Sequence, residues 1–149
     1  MNEAQLELSV MELFQNEGYE YIFGDSISRE VTDVLLRDDL RAYLAAKYAK
    51  EGITSTEIES IILSLVRASH DPLYDANKES FIFRREDKTK KDIFIRLIDF
   101  DNKDANIFKI VNQVEIQGAS QLRIPDAVVY INGLPVVVIE FKSATRENA

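Results

Sequence analysis

At 149 residues the chain has the length of one ordinary domain, enough to bury roughly 70% of the surface that its unfolded form would expose. It has no cysteine, which excludes a disulfide framework and a thiolate metal site. Its 18 basic and 26 acidic residues give a net charge of −8, which argues against a protein that grips nucleic acid by phosphate neutralisation alone.

The opening, MNEAQLELSVMELF, is acidic and lacks the basic flank and cleavage site of a secretory leader, and charges interrupt every apolar stretch before spanning length. A soluble, cytoplasmic protein with no membrane partner is expected. Leu6, Val10, Leu13 and Phe14 recur at helical spacing ahead of Gly18, which predicts a helix over residues 3–16 with Glu7 beside its apolar stripe. Tyr19 to Phe23 reads as a short strand before a turn at Gly24-Asp25-Ser26. A second helix is predicted over 33–50, with Leu36, Leu40, Tyr43, Leu44 and Tyr48 inward and Gly52 as its stop. Thr54 and Glu57 form a capping-box signature for a third helix, about 56–68, which His70-Asp71-Pro72 should end. His70, the sole histidine, has no serine or cysteine partner and is read as a helix-end residue rather than a base.

From Phe81 onward the segments FIFRR, DIFIRLIDF and NIFKIVNQVEI have the β-branched and aromatic density of strands, with the charged stretch Glu86 to Asp92 as a solvated turn. Arg84, Arg85 and the lysines from Lys88 to Lys91 are read as solvated surface charges. No repeat or Pro/Gly/Ser-rich linker divides the chain, so residues 1–149 are expected to form a single domain. Helices followed by strands predict an α/β fold with a mixed or mainly antiparallel sheet.

The chemistry concentrates in RIPDAVVYINGLPVVVIEFKSA, Arg123 to Ala144. Two apolar strands meet at Asn132-Gly133, a strong hairpin signal, and the second is apolar on both faces, which suggests a central position in the sheet. Glu140 and Lys142 are two apart and project from one face. Asp126 joins them only if the pairing has the right parity. A two-residue loop pairs Asp126 with Ile139 and sets it opposite Glu140, whereas a three-residue loop ending in a left-handed glycine pairs it with Val138 and unites all three. The expectation is therefore a bulged turn, or an equivalent bulge elsewhere in the pair. Two neighbouring carboxylates repel unless a proton or cation lies between them, and a hard cation such as magnesium (Mg2+) takes such oxygen ligands together with waters and a phosphate oxygen. A lysine beside them could stabilise charge on a phosphoryl group, so the set suits phosphodiester hydrolysis. Acids and lysines are common at wet strand ends, so the pattern alone is weak.

The same stretch resembles the N-terminal nuclease domain of the R subunit of type I restriction enzymes, a branch of the PD-(D/E)XK nuclease superfamily. The match is close at PDAVVYINGLPVVVIEFK and weaker through IDFDNKDANIFKIVNQVEI and LELSVMELFQNEGYEYIFG, so it covers most of the chain. The resemblance implies a restriction-endonuclease-like α/β core, with a mixed central sheet flanked by helices and an N-terminal helical region. It places the family's metal-binding acids on Asp126 and Glu140 and its catalytic lysine on Lys142, with Glu7 as a possible additional acid from the first helix. It implies an endonuclease that depends on Mg2+ and acts on double-stranded DNA beside modification and specificity subunits. The family's Gln-x-x-x-Tyr motif and its helicase motor lie beyond the residues present, and no phosphate loop occurs, so no ATP binding is expected here. The chain therefore reads as an N-terminal fragment of a longer subunit, and low activity on its own would fit. The alternative is a catalytically silent docking module of the same complex.

Overall fold

The computed structural model describes residues 2–24, 35–68, 80–117 and 122–142. In chain order these form α1 (Glu3–Asn16), β1 (Glu20–Phe23), α2 (Arg37–Lys47), a 3-10 turn (Ala49–Glu51), α3 (Ser55–Ala68), β2 (Ser80–Phe83), β3 (Ile93–Arg96), a second 3-10 turn (Lys103–Ala105), β4 (Phe108–Asn112), β5 (Ile116–Gln117), β6 (Leu122–Arg123), β7 (Ala127–Ile131) and β8 (Leu134–Ile139). The central sheet has the order β1-β4-β7-β8, with β1 parallel to β4 and β4 antiparallel to β7. The fold is thus mixed α/β around a mixed sheet, consistent with a restriction-endonuclease-like core. The expected helix stop at His70-Asp71-Pro72 and most of the turn after Gly24 lie outside the described residues. Among the described residues no helix is long and apolar enough to cross a membrane.

The chain gathers into two compact units. The first comprises Met1–Asp33, Phe108–Ile131 and Pro135–Ala149. Its helix α1 starts on a capping box that was not anticipated: the Asn2 side chain accepts from the Gln5 amide at 2.8 Å, and the Gln5 side chain accepts from the Asn2 amide at 3.1 Å. Gly18, at φ +95°, follows the helix end as expected. The pairings Tyr21↔Ile110↔Val129 and Phe23↔Asn112↔Ala127 set these residues on one face of the sheet. Met11 packs there with Ile110, Ala127 and Val129, and Phe14, Tyr21, Val136, Ile139 and Phe141 surround them.

The second unit comprises Val34–Ile107 with Asn132–Leu134. Helix α2 is shorter than its predicted span. It starts after Leu36, whose amide donates to the Gly133 carbonyl at 2.9 Å, and it gives way after Tyr48 to the 3-10 turn that ends on left-handed Gly52. Helix α3 begins on the predicted capping box, with reciprocal bonds between Thr54 and Glu57 of 3.0 and 3.1 Å. Leu40, Leu44, Ile61 and Ile62 are buried against Ile93, Ile95 and Leu97, each such side chain contributing about 2 kcal/mol of transfer free energy. The ladder pairs Phe81 with Ile95 and Phe83 with Ile93 on that inward side.

Arg85 corrects the sequence reading, which left it solvated. It is 3% exposed, and its guanidinium donates to Glu57 at 2.9 and 3.0 Å and to the carbonyls of Glu51 and Gly52 at 2.8 and 3.1 Å. A buried guanidinium persists only where its donors meet acceptors, and here a helix cap supplies two and a turn the others. Lys47 is likewise paired with buried Asp99. Asn132 is wholly buried, accepting from the Ile107 amide at 2.7 Å and donating to the Leu97 carbonyl and to Asn106 at 2.9 and 3.0 Å.

Candidate active site at the end of the sheet

The turn between β7 and β8 holds two residues, Asn132 and Gly133, with φ of +53° and +82°. Both central residues are left-handed, as a type I′ hairpin requires, so the expected three-residue bulged turn is not formed. The reason is local: asparagine tolerates positive φ, and in this conformation its side chain satisfies three partners. Gly133 is required as well, because a Cβ there would stand 2.2 Å from the Leu36 carbonyl oxygen.

The parity of β8 shifts further along. Leu134 is buried and Val136 packs on the α1 side, but Val137 and Val138 are consecutively exposed, at 50% and 54%. Ile139 and Phe141 then return to the α1 cluster, and Glu140 and Lys142 alternate with them as exposed residues. A strand with strict alternation would not expose two neighbours, so the inward set moves by one residue at Val137-Val138. Among the described residues β8 is also an edge strand rather than the central one expected from its composition.

Asp126 occupies a bend immediately before β7 and is half-buried. Its carbonyl accepts from the Gln113 amide at 3.0 Å, which anchors its backbone to the end of β4. Its Oδ2 accepts from the Phe141 amide at 2.6 Å. That amide belongs to the residue between Glu140 and Lys142, so the carboxylate reaches the segment that carries the other two candidates. Glu7 stands apart from this bond. It lies on α1, and its Oε1 accepts from the Asn112 side chain at 3.4 Å. The charge of Glu7 is felt at Tyr21, whose hydroxyl pKa is raised first by burial and then by this carboxylate. Asn112, only 7% exposed, was legible in the sequence merely as one residue of a strand, although a lone amide inside the β-branched run FKIVN is its signal.

The donor set suits a hard cation. Asp126 and Glu140 offer carboxylate oxygens, and Mg2+ typically takes one or two protein carboxylates while keeping several waters. Among the described residues no group of three or more His, Cys, Asp or Glu side chains is placed to hold a metal ion.

Residues 1–149 match the family model described as the type I restriction enzyme R protein N terminus. The chain is 26% identical, over all of its length, to the type I restriction enzyme HindI endonuclease subunit of Haemophilus influenzae, and spans 16% of that protein. It is 29% identical, over 93% of its length, to a Methanocaldococcus jannaschii protein provisionally named the type I restriction enzyme MjaIXP endonuclease subunit, and spans 15% of it. It is 26% identical, over 95% of its length, to the type I restriction enzyme SsaAORF53P endonuclease subunit of Staphylococcus saprophyticus, again spanning 15%.

Proposed function

Because the chain belongs to the family of type I restriction enzyme R protein N-termini, we propose that it is the nuclease domain of such a subunit, hydrolysing phosphodiester bonds of double-stranded DNA with Asp126, Glu140 and Lys142. The observation that carries this reading is the bond from the Phe141 amide to the Asp126 carboxylate, which ties one acid to the backbone between the other acid and the lysine. The relatives' names, all endonuclease subunits, support the reaction class.

Asp126 and Glu140 would hold a magnesium ion, which when bound polarises a phosphate oxygen and lowers the pKa of water beside it. The protein's own part begins with orientation. The Phe141 amide occupies one oxygen of Asp126 and fixes its rotamer, leaving the second oxygen for the cation. Gln113 holds the same residue by its carbonyl, so Asp126 is restrained from two sides. Glu140 and Lys142 are exposed and can meet a polyanion without moving the core. Lys142 would neutralise charge as it accumulates on the phosphoryl oxygens. With a net charge of −8, the domain relies on other parts of the assembly for its hold on DNA. Modification and specificity subunits would choose the target, and motor domains of the same subunit would use ATP.

The reading is tested by titrating Mn2+ or Mg2+ into the chain and into Asp126→Ala, with heat of binding and plasmid nicking as readouts. Cation binding is expected in the first protein and loss of it in the second; equal binding would overturn the metal site. In an intact subunit, Asp126→Ala, Glu140→Ala and Lys142→Ala should each abolish cleavage while ATP hydrolysis and translocation persist. Cleavage that survives all three would leave only the silent docking role.

A further inference from the structure

Among the described residues two that are not glycine take positive φ, Asn132 at +53° and Gln113 at +51°. They hold that conformation on different terms. Asparagine tolerates it, and the Asn132 side chain makes three hydrogen bonds there. Glutamine is not among the residues enriched in that region, and the Gln113 side chain is exposed, with no hydrogen bond among the described residues. Only its backbone is held. Its amide donates to the Asp126 carbonyl at 3.0 Å, and Gly24 packs against its peptide, where a Cβ would stand 2.7 Å from the Gln113 carbonyl oxygen. Gly24 is fixed in turn by its amide, which donates to the Asn112 side chain at 3.3 Å. A left-handed residue pinned by its neighbours, whose side chain gives nothing back to the fold, directs attention to a use outside the fold.

Its position names that use. Asn112 pairs with Ala127, and the bond from Gln113 to Asp126 adds one more step to the same ladder. Residues bonded in this way stand about 5.5 Å apart between Cα atoms, near enough for a glutamine side chain to reach a ligand of Asp126. Ala127 and Val129 pack in the α1 cluster, so alternation sets Asp126 on the opposite face. Glu140 and Lys142, which alternate with Ile139 and Phe141 of that cluster, fall on the opposite face too. Gln113 is therefore the ladder partner of the one candidate acid that is anchored by its backbone, at the exposed end of β4.

We propose that Gln113 is a substrate-binding residue, whose side-chain NH2 donates to a phosphate oxygen of the DNA strand held at Asp126. This deepens the nuclease reading and rests on it. The two acids supply oxygens for a cation, so the phosphate needs donors, and Lys142 alone offers few. An amide adds donors without adding charge beside the cation, and glutamine is among the side chains that contact phosphates in this way.

The test compares the 149-residue chain with Gln113→Gly and Gln113→Asn, read by urea unfolding, by calorimetric Mn2+ titration, and by fluorescence anisotropy of a short labelled DNA duplex at low salt with Ca2+ as the cation. Gln113→Gly keeps the amide that holds Asp126 and accepts positive φ freely, so its urea midpoint should rise and its Mn2+ binding should be unchanged. Its duplex affinity should fall on the order of 10-fold, the loss of one hydrogen bond to a charged group. The salt dependence of that affinity should stay as it was, because the lost contact is neutral, whereas Lys142→Ala should flatten it by about one charge. Gln113→Asn, which keeps an amide, should recover part of the affinity. Unchanged duplex affinity in Gln113→Gly would overturn the proposal. So would a lowered urea midpoint, which would make the side chain a structural one, or a lack of cation-dependent duplex binding by the unsubstituted chain. Asp126→Ala separates the two levels. If it leaves Mn2+ binding intact, the metal reading fails and this inference falls with it. If it abolishes Mn2+ binding while Gln113→Gly binds duplex as the unsubstituted chain does, only the role of Gln113 is lost.

Discussion

Two charged regions of this protein treat their polar groups in opposite ways. Around Arg85, the guanidinium is matched within the chain by Glu57 and by the carbonyls of Glu51 and Gly52. At the end of the sheet, Asp126 has one amide on one oxygen, while Glu140 and Lys142 are exposed with no hydrogen bond among the described residues. The first region has spent its valence on folding. The second keeps valence in hand, which is what binding an external ion requires. Charge in the sequence does not distinguish them, because Arg-Arg-Glu-Asp at 84–87 looks more solvated than Glu-Phe-Lys at 140–142. The arrangement of acceptors does.

The sharpest way to break this contrast is Arg85→Leu. Removing one member of a buried, hydrogen-bonded pair strands Glu57 and two carbonyls, so a loss of about 3 kcal/mol is expected in urea unfolding. Asp126→Ala should cost far less stability and remove cation binding instead, as set out above. Comparable stability losses in the two variants would erase the distinction. Gly133→Ala comes next, at about 2 kcal/mol, since it forces a left-handed residue into contact with the Leu36 carbonyl. A variant unfolding at the wild-type midpoint would show that the turn yields freely. The smallest effect is on pH dependence. Arg85 holds the Glu57 carboxyl below its ordinary value of 4.5, helped by the Thr54 cap. A carboxyl depressed in the folded state adds stability that is complete above its unfolded pKa and is lost as pH falls through the folded value. The gap between wild type and Arg85→Leu should therefore narrow in acid below the ordinary glutamate range, and urea midpoints taken at about pH 7 and about pH 3 will measure it. A gap of the same width at both would mean that packing of the Arg85 stem, not charge, is what the variant loses.

Periodicity and turn chemistry made most of the elements readable. Leu6, Val10 and Phe14 gave α1, Thr54 and Glu57 gave the start of α3, and Asn132-Gly133 gave the hairpin. What escaped was tertiary. Arg85 could not be told from Arg84 without knowing that β2 brings it under the cap of α3. The parity of the candidate site asked for a bulged turn or an equivalent bulge elsewhere in the pair; the turn is a plain two-residue one, and the inward set moves by one at Val137-Val138, where three successive valines offer no pattern that places the shift. The apolarity of β8 suggested two covered faces, but its valines divide between the α1 cluster and the surface. The partners of Asn112 were hidden for a related reason, since Glu7 and Gly24 lie far from it in sequence.

Asn132 precedes a glycine, the sequence context in which asparagine ages most readily by cyclising onto the following peptide nitrogen. In the folded chain its side-chain amide is held by Ile107, Leu97 and Asn106 and is buried, which restrains the rotation that cyclisation onto the Gly133 nitrogen needs. Deamidation at this position is therefore tied to opening of the hairpin, and the mass spectrum of a stored sample becomes a record of how often the turn has come undone.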